Sequence, residues 1–274
     1  MTFKNKTLLI TGGTSRLGEC VVRKAVSSGA KTYFTYKKNQ QKADELKALG
    51  ARAFQLELSS TAAIDAFCKI LKEEMQHLDV LIHNAAEVRD HTIQNLTEED
   101  WDKVLAVNLK APYYLTKKLL PLLFRKKKKE NETPVCNLED EGRRISQTKI
   151  LRCAQDDKNS QPSKILFITS RAAVTGGFGI SNYAAAKAGL IGLTKSLAQE
   201  LGKKQILVNA VNPGFMISAM TEKLPEAVLQ HHLELSSIQR YSNPEEVAGF
   251  LLYLCSDQMT QVTGQIFHFE SRKI

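Results

Sequence analysis

The chain has no apolar run approaching the roughly 18 residues needed to span a membrane. The charged start Met1–Lys6 is followed only by Leu8-Leu9-Ile10, too short for the apolar region of a secretory signal. Cysteines number five, an odd count, and Cys20, Cys68, Cys136, Cys153 and Cys255 lie far apart with no Cys-x-x-Cys pair. This argues against a disulfide framework or a cysteine zinc site and predicts residence in a reducing cytoplasm. The six histidines show no metal-binding spacing, and His231-His232 reads as a solvated pair in a polar helix. Disorder is also excluded, because 43% of the 274 residues are hydrophobic and 24% are charged. At about 150 residues per domain the length allows one or two domains, and one large α/β domain is the simpler reading.

The net charge of +9 raises the question of nucleic-acid binding. Residues 125–164 hold 11 Lys/Arg against 7 Asp/Glu, a net +4, centred on Arg125-Lys126-Lys127-Lys128-Lys129. No aromatic residues interleave with that run, so a solvated loop is the better reading than a nucleic-acid surface. The whole stretch 125–164 is polar, with turn clusters at Asn131–Pro134 and Asp156–Ser160, and reads as an insertion without a core of its own.

Outside it, strands and helices alternate. Thr7–Thr11 is a buried strand, Gly12-Gly13 breaks the pattern, and Leu17–Ser28 is helical and ends at Gly29. Strands follow at Thr32–Thr35, Ala53–Leu58, Val80–Ile82, Ile165–Thr169, Ile206–Val211 and Gln265–Phe269. Helices are expected over Gln40–Leu49, Thr61–Met75, Asp100–Phe124 with a kink at Pro112, Asn182–Gly202 and Pro244–Leu254. This order predicts a doubly wound parallel sheet, a Rossmann fold, in one domain over 1–274 with 125–164 inserted into it. The glycine turn between the first strand and helix lets backbone approach a pyrophosphate at a helix N-terminus.

Thr11-Gly12-Gly13-Thr14-Ser15-Arg16-Leu17-Gly18 resembles the Thr-Gly-x-x-x-Gly-x-Gly signature of the short-chain dehydrogenases/reductases. Four more segments match that family in order: His83-Asn84-Ala85-Ala86, Val107-Asn108-Leu109, Ser170 with Tyr183-x-x-x-Lys187, and Asn212-Pro213-Gly214. The resemblance spans 1–124 and 165–274. It implies cofactor contacts from Gly12, Thr14, Ser15, Arg16, Leu17, Gly18, Tyr36, Lys37, Glu57, Leu58, Asn84, Ala85, Ala86, Tyr183, Lys187, Pro213, Gly214, Phe215 and Ser218. Arg16 replaces the middle glycine, and no acidic residue follows the second strand at Tyr36-Lys37-Lys38. An acidic residue there would repel a 2′-phosphate, whereas Arg16 and Lys37 would attract one, so NADP(H) is the expected cofactor.

The implied catalytic group is Asn108, Ser170, Tyr183 and Lys187. Tyr183 and Lys187, four apart on a helix, share one face. A neighbouring ammonium and an oxidised nicotinamide are expected to lower the phenol below its usual value near 10. Tyr183 then hands a proton to a carbonyl oxygen, to which Ser170 also donates. By resemblance, Asn108 holds a water linking Lys187 to solvent, the lesser alternative being that it satisfies a helix irregularity.

Two branches of the family are similar. Asn182–Leu193 and Asn212–Phe215 with Met220-Thr221 look like the 3-oxoacyl-(acyl-carrier-protein) reductases. Arg16–Gly18, Tyr36-Lys37 and His83–Ala85 look like the pteridine reductases. Retention of Ser170 and the lack of an aromatic pair in a substrate-facing loop at roughly 215–240 favour a ketone over a pterin. The leading expectation is reduction of a 3-oxoacyl thioester, with Lys203, Lys204 and the Arg125–Lys129 run available to an acidic acyl carrier protein. A non-catalytic dinucleotide-binding role is the alternative outside enzymes. A homotetramer or homodimer is also implied, although Phe267–Arg272 stands where relatives end in Asp-Gly-Gly.

Overall fold

The computed structural model describes residues 1–124, 161–218, 221–222 and 224–272. The Arg125–Lys129 run, Cys136, Cys153, both insertion turn clusters and Met220 lie outside the described residues. The strands are β1 (Thr7–Ile10), β2 (Lys31–Tyr36), β3 (Arg52–Gln55), β4 (Val80–His83), β5 (Ser163–Ile168), β6 (Ile206–Asn212) and β7 (Ile266–His268). They form one seven-stranded sheet in the order β3-β2-β1-β4-β5-β6-β7. Every pairing in it is parallel. The expected doubly wound parallel sheet is therefore present.

The helices are α1 (Arg16–Ser27), α2 (Gln40–Ala48), α3 (Thr61–Glu74), α4 (Glu98–Leu105), α5 (Ala111–Leu123), α6 (Ala172–Thr175), α7 (Ser181–Leu201), α8 (Glu226–Glu234) and α9 (Pro244–Cys255). Successive strand side chains point to opposite faces, so each strand feeds two cores. On one face Leu8, Ile10, Ile82 and Leu166 meet Val21 and Val22 of α1 and Val247 and Leu251 of α9. On the other, Leu9, Leu81, Ile165 and Val208 meet Leu71 of α3, Leu115 and Leu119 of α5 and Leu190 of α7. Burial on both sides explains why these strands read as unbroken apolar runs.

Several boundaries differ from expectation. The long helix over 100–124 is two helices joined by a π turn at Ala106–Lys110, one turn ahead of the expected kink at Pro112. β3 stops at Gln55, so Glu57 and Leu58 sit in the turn beyond it. The segment 215–240 is not only loop: it contains α8, which buries no residue and has no side-chain cap, and so leaves little trace in sequence. The insertion also ends earlier than 164. Ser163 and Lys164 begin β5, and the Lys164 ammonium is buried, donating to the carbonyls of Ser256 (2.6 Å) and Met259 (2.7 Å). One of the 11 cations counted in the insertion therefore caps the end of α9.

Candidate active site

The order of strands reverses at β1, whose neighbours β2 and β4 lead to opposite halves of the sheet, and crevices at such points open beyond the C-terminal strand ends. The glycine turn lies there. Gly12 has φ +69°, and a Cβ on it would come within 2.9 Å of the Ala85 Cα. A Cβ on Gly13 would meet Phe34 at 2.6 Å, and one on Gly18 would meet the Gly12 carbonyl oxygen at 2.2 Å. Arg16, by contrast, occupies an ordinary helical position at the start of α1, so the missing middle glycine does no harm.

Ser15 caps α1. Its hydroxyl accepts from the Gly18 N–H (3.2 Å) and its carbonyl from the Glu19 N–H (2.7 Å). That leaves the N–H groups of Arg16 and Leu17 without a protein acceptor among the described residues. Thr14 completes the turn. The turn is tied to β4 by Asn84, whose Nδ2 donates to the carbonyls of Thr11 (3.0 Å) and Gly12 (3.1 Å) and to Ser15 Oγ (3.1 Å). Thr11 Oγ1 returns the contact by accepting from the N–H groups of Asn84 and Ala85, both at 3.1 Å, and Ala86 follows. A close-approach turn with free amides at a helix start fits a dinucleotide pyrophosphate.

At the end of β2, Tyr36 is buried and its hydroxyl donates to Gln40 Oε1. The Lys37 ammonium sits between two carboxylates, Glu57 at 3.0 Å and Glu87 at 3.6 Å. Burial opposes its charge, but both carboxylates outweigh that and raise its pKa. Burial likewise opposes ionisation of Glu57, yet hydrogen bonds from Ser59 and Lys37 hold it down at about 2. Leu58 packs against the α3–α5 core. No carboxylate lies within ion-pair distance of Arg16 among the described residues, so the two expected phosphate ligands are unequal.

The catalytic candidates converge beyond β4 and β5. Ser170 follows β5. Tyr183 and Lys187 lie on the first turns of α7, and the Lys187 Nζ is 5.6 Å from the centre of the Tyr183 ring. Lys187 is 2% exposed and donates to the Ile168 carbonyl at 2.7 Å. Burial pushes its pKa down to about 8. Tyr183 behaves contrary to expectation: burial pushes it up to about 12, the Ser170 hydroxyl pulls back against that, and Asp90 adds to the rise. The ammonium does not lower the phenol in the protein alone. Asn108 is fully buried in the π turn, where its Oδ1 accepts from the Glu87 N–H and its Nδ2 donates to the Glu87 carbonyl, both at 2.8 Å. It thus clamps the loop that follows Ala86.

Beyond β6 follow Pro213, Gly214, Phe215 and Ser218, expected on the nicotinamide side. The Ser218 N–H donates to Thr221 Oγ1 at 2.9 Å. His232 is not simply solvated. It stacks on Phe215 at 3.8 Å between ring centres, and burial together with Arg272 lowers its pKa. Lys203 and Lys204 are nowhere near the group. They lie in a 3₁₀ turn past the far end of α7, roughly 30 Å along the helix from Tyr183. They therefore do not line the catalytic mouth itself.

Sequence reading missed Glu87, Asp90 and Asn182. Asn182 is fully buried, accepting from the Tyr183 N–H (2.7 Å) and donating to the Arg89 carbonyl (3.0 Å), so it joins α7 to the loop after β4. Its place beside Tyr183 and that of Glu87 beside Ala86 were the available signals. Among the described residues no group of His, Cys, Asp and Glu could hold a metal, and no helix is long and apolar enough to cross a membrane.

Residues 6–130 match the short chain dehydrogenase family, and residues 145–271 match the family described as enoyl-(acyl carrier protein) reductase. The chain is 30% identical over 272 residues to the 3-oxoacyl-[acyl-carrier-protein] reductase FabG of Thermotoga maritima, covering 97% of this chain and 96% of that one. The namesake from Aquifex aeolicus is 29% identical over 271 residues, with coverage of 97% and 96%. Among solved structures, a short-chain dehydrogenase/reductase from Serratia marcescens shares the fold with a TM-score of 0.81 and 24% identity, covering 99% of each chain. Pseudomonas aeruginosa RhlG, solved as an NADP active-site complex, shares it with a TM-score of 0.80 and 23% identity, covering 98% of this chain and 96% of that one.

Proposed function

The chain belongs to the short-chain dehydrogenases/reductases, and from that premise we propose that it is an NADPH-dependent reductase converting a ketone to a secondary alcohol, with a 3-oxoacyl thioester as substrate. The observation that carries the reading is the Ser170–Tyr183–Lys187 group, half-buried around a fully enclosed Lys187, set beside a close-approach glycine turn. The bound dinucleotide supplies a hydride to the carbonyl carbon. This chain handles the proton.

A phenol held at about 12 is protonated throughout the neutral range, the state a reductase needs in a proton donor. Tyr183 Oη donates to the carbonyl oxygen, and the Ser170 hydroxyl steadies the charge that grows there. Lys187, at about 8, is largely protonated at neutral pH and stands ready to restore the Tyr183 proton. Arg16, Leu17 and the glycine turn hold the pyrophosphate. Arg16, with Lys37 alongside, binds the 2′-phosphate. The free and mostly buried Cys20, Cys68 and Cys255 accord with a reducing cytoplasm. Relatives named as 3-oxoacyl-[acyl-carrier-protein] reductases support the thioester.

Purified protein with NADPH and acetoacetyl-CoA, followed at 340 nm, tests the reading. Oxidation is expected. None there, but oxidation with dihydrobiopterin, would move the substrate to the pterins. Tyr183→Phe should abolish turnover and keep NADPH binding, and retained turnover would refute the proton assignment.

A further inference from the structure

The C-terminal segment after β7 folds back onto the turn that ends β6. The Phe269 N–H donates to the Asn212 carbonyl at 2.8 Å, and a Cβ on Gly214 would fall 2.7 Å from the Phe269 carbonyl oxygen. Asn212 Oδ1 accepts from the Gly214 N–H (3.2 Å), while Asn212 Nδ2 donates to Glu270. The other Glu270 oxygen accepts from Arg272 Nε at 2.6 Å, in an ion pair whose side chains are 3% and 8% exposed. Arg272 Nη1 then donates to His232 Nδ1 on α8 at 3.1 Å. Because His232 stacks on Phe215 at 3.8 Å, the chain of contacts closes on itself. It runs Phe215, His232, Arg272, Glu270, Asn212 and back along the turn.

Resting on the reading that this turn faces the nicotinamide, we propose that Glu270 and Arg272 are positioning residues that brace the Asn212–Phe215 turn and tie it to α8, so that the cofactor wall and the substrate-side helix hold one geometry. Two features favour this over simple stabilisation. A buried ion pair is often no more stabilising than apolar side chains of similar volume, whereas it does fix one arrangement of donors and acceptors. The turn is also backed by a cavity of about 330 Å³ lined by Phe215, Tyr241, Phe269 and Arg272, so an unbraced turn has room to retreat. The antiparallel bridge between Ser236 and Arg272 anchors the brace from the far side of α8.

The test compares the wild-type protein with Glu270→Ala and Glu270→Gln. Misplacement of a reacting group by about 1 Å costs on the order of 10²-fold in rate, and a loss of that order in kcat is expected for Glu270→Ala. The primary deuterium isotope effect with deuterated NADPH should rise as hydride transfer becomes limiting. NADPH affinity should hardly change, because the phosphate contacts lie at the glycine turn. Glu270→Gln keeps an acceptor for Asn212 but sets an amide N–H against Arg272 Nε, so it should recover only part of kcat. A lower Tm with an unaltered kcat and isotope effect would overturn the proposal.

Should Glu270→Ala fail to fold, His232→Phe keeps the stack on Phe215 and removes only the acceptor for Arg272. A smaller rise in the isotope effect is expected, and no change would refute the brace. Time-resolved fluorescence anisotropy of bound NADPH reads nicotinamide motion without turnover. Added motion in Glu270→Ala supports the brace, and equal rigidity overturns it, even if the wild type proves to reduce no ketone and the functional reading fails.

Discussion

Replacing Lys187 with methionine should make the protein inactive and change how its stability depends on pH. The ammonium is 2% exposed, and burial depresses its pKa from the ordinary 10.5 to about 8. That gap corresponds to about 3 kcal/mol of unfavourable ionisation in the folded state. Because the folded value lies below the unfolded one, the unfolded chain holds the extra proton between pH 8 and 10.5. Wild-type stability therefore rises with pH across that window, and the burden is fully present below pH 8.

The methionine variant lacks this ionisation, so the stability difference, variant minus wild type, should fall by about 3 kcal/mol from pH 7 to pH 10.5. At neutral pH the variant gains less than the full amount, because the Ile168 carbonyl loses its donor at a cost of about 1–3 kcal/mol. Other titrating groups, Tyr183 among them, are common to both proteins and cancel in the difference. Urea unfolding followed by circular dichroism, in steps of one pH unit, measures it. A difference that stays flat with pH would refute the buried-ammonium argument.

Cofactor choice should depend more on Arg16 than on Lys37. Lys37 is engaged by Glu57 at 3.0 Å and Glu87 at 3.6 Å, so removing it subtracts a cation that is already neutralised. Arg16→Ala should cut the NADPH-over-NADH ratio of kcat/KM several times more than Lys37→Ala, and the reverse order would show that Lys37 leaves its carboxylates to bind the phosphate. Gly18→Ala would press a Cβ to 2.2 Å from the Gly12 carbonyl oxygen, backbone against backbone. The turn must shift, and NADPH affinity, measured by fluorescence titration, should fall by about tenfold or more, equivalent to about 1.4 kcal/mol. An affinity equal to wild type would show that the turn does not contact the cofactor.

Features decided by neighbours in sequence were legible before the structure. β1, the glycine turn and α1 follow from an apolar run, a break and a 3.6-residue period within 22 positions, and the Tyr183–Lys187 spacing needs only one helical turn. Features decided by distant partners were not. Lys164 reads as one more cation in a charged stretch, yet its acceptors lie 92 and 95 residues downstream. Lys37 reads as free because Glu57 and Glu87 come from the segments that follow β3 and β4. His232 looks solvated until Phe215 and Arg272 close around it. The rise in Tyr183 escaped for a similar reason: an ammonium four residues away is visible in sequence, but the burial that outweighs it belongs to the assembled sheet. Lys203 and Lys204 show the converse case. Their charge was legible, but their distance from Tyr183 follows from the full length of α7.

Ser163 at the head of β5 donates its hydroxyl to the Leu123 carbonyl at the tail of α5, at 2.9 Å. The described residues on either side of 125–160 thus meet at the N-terminal end of β5. The hydrogen bond sets where the backbone leaves α5 and where it enters β5, at the strand end opposite the one that leads to Ser170.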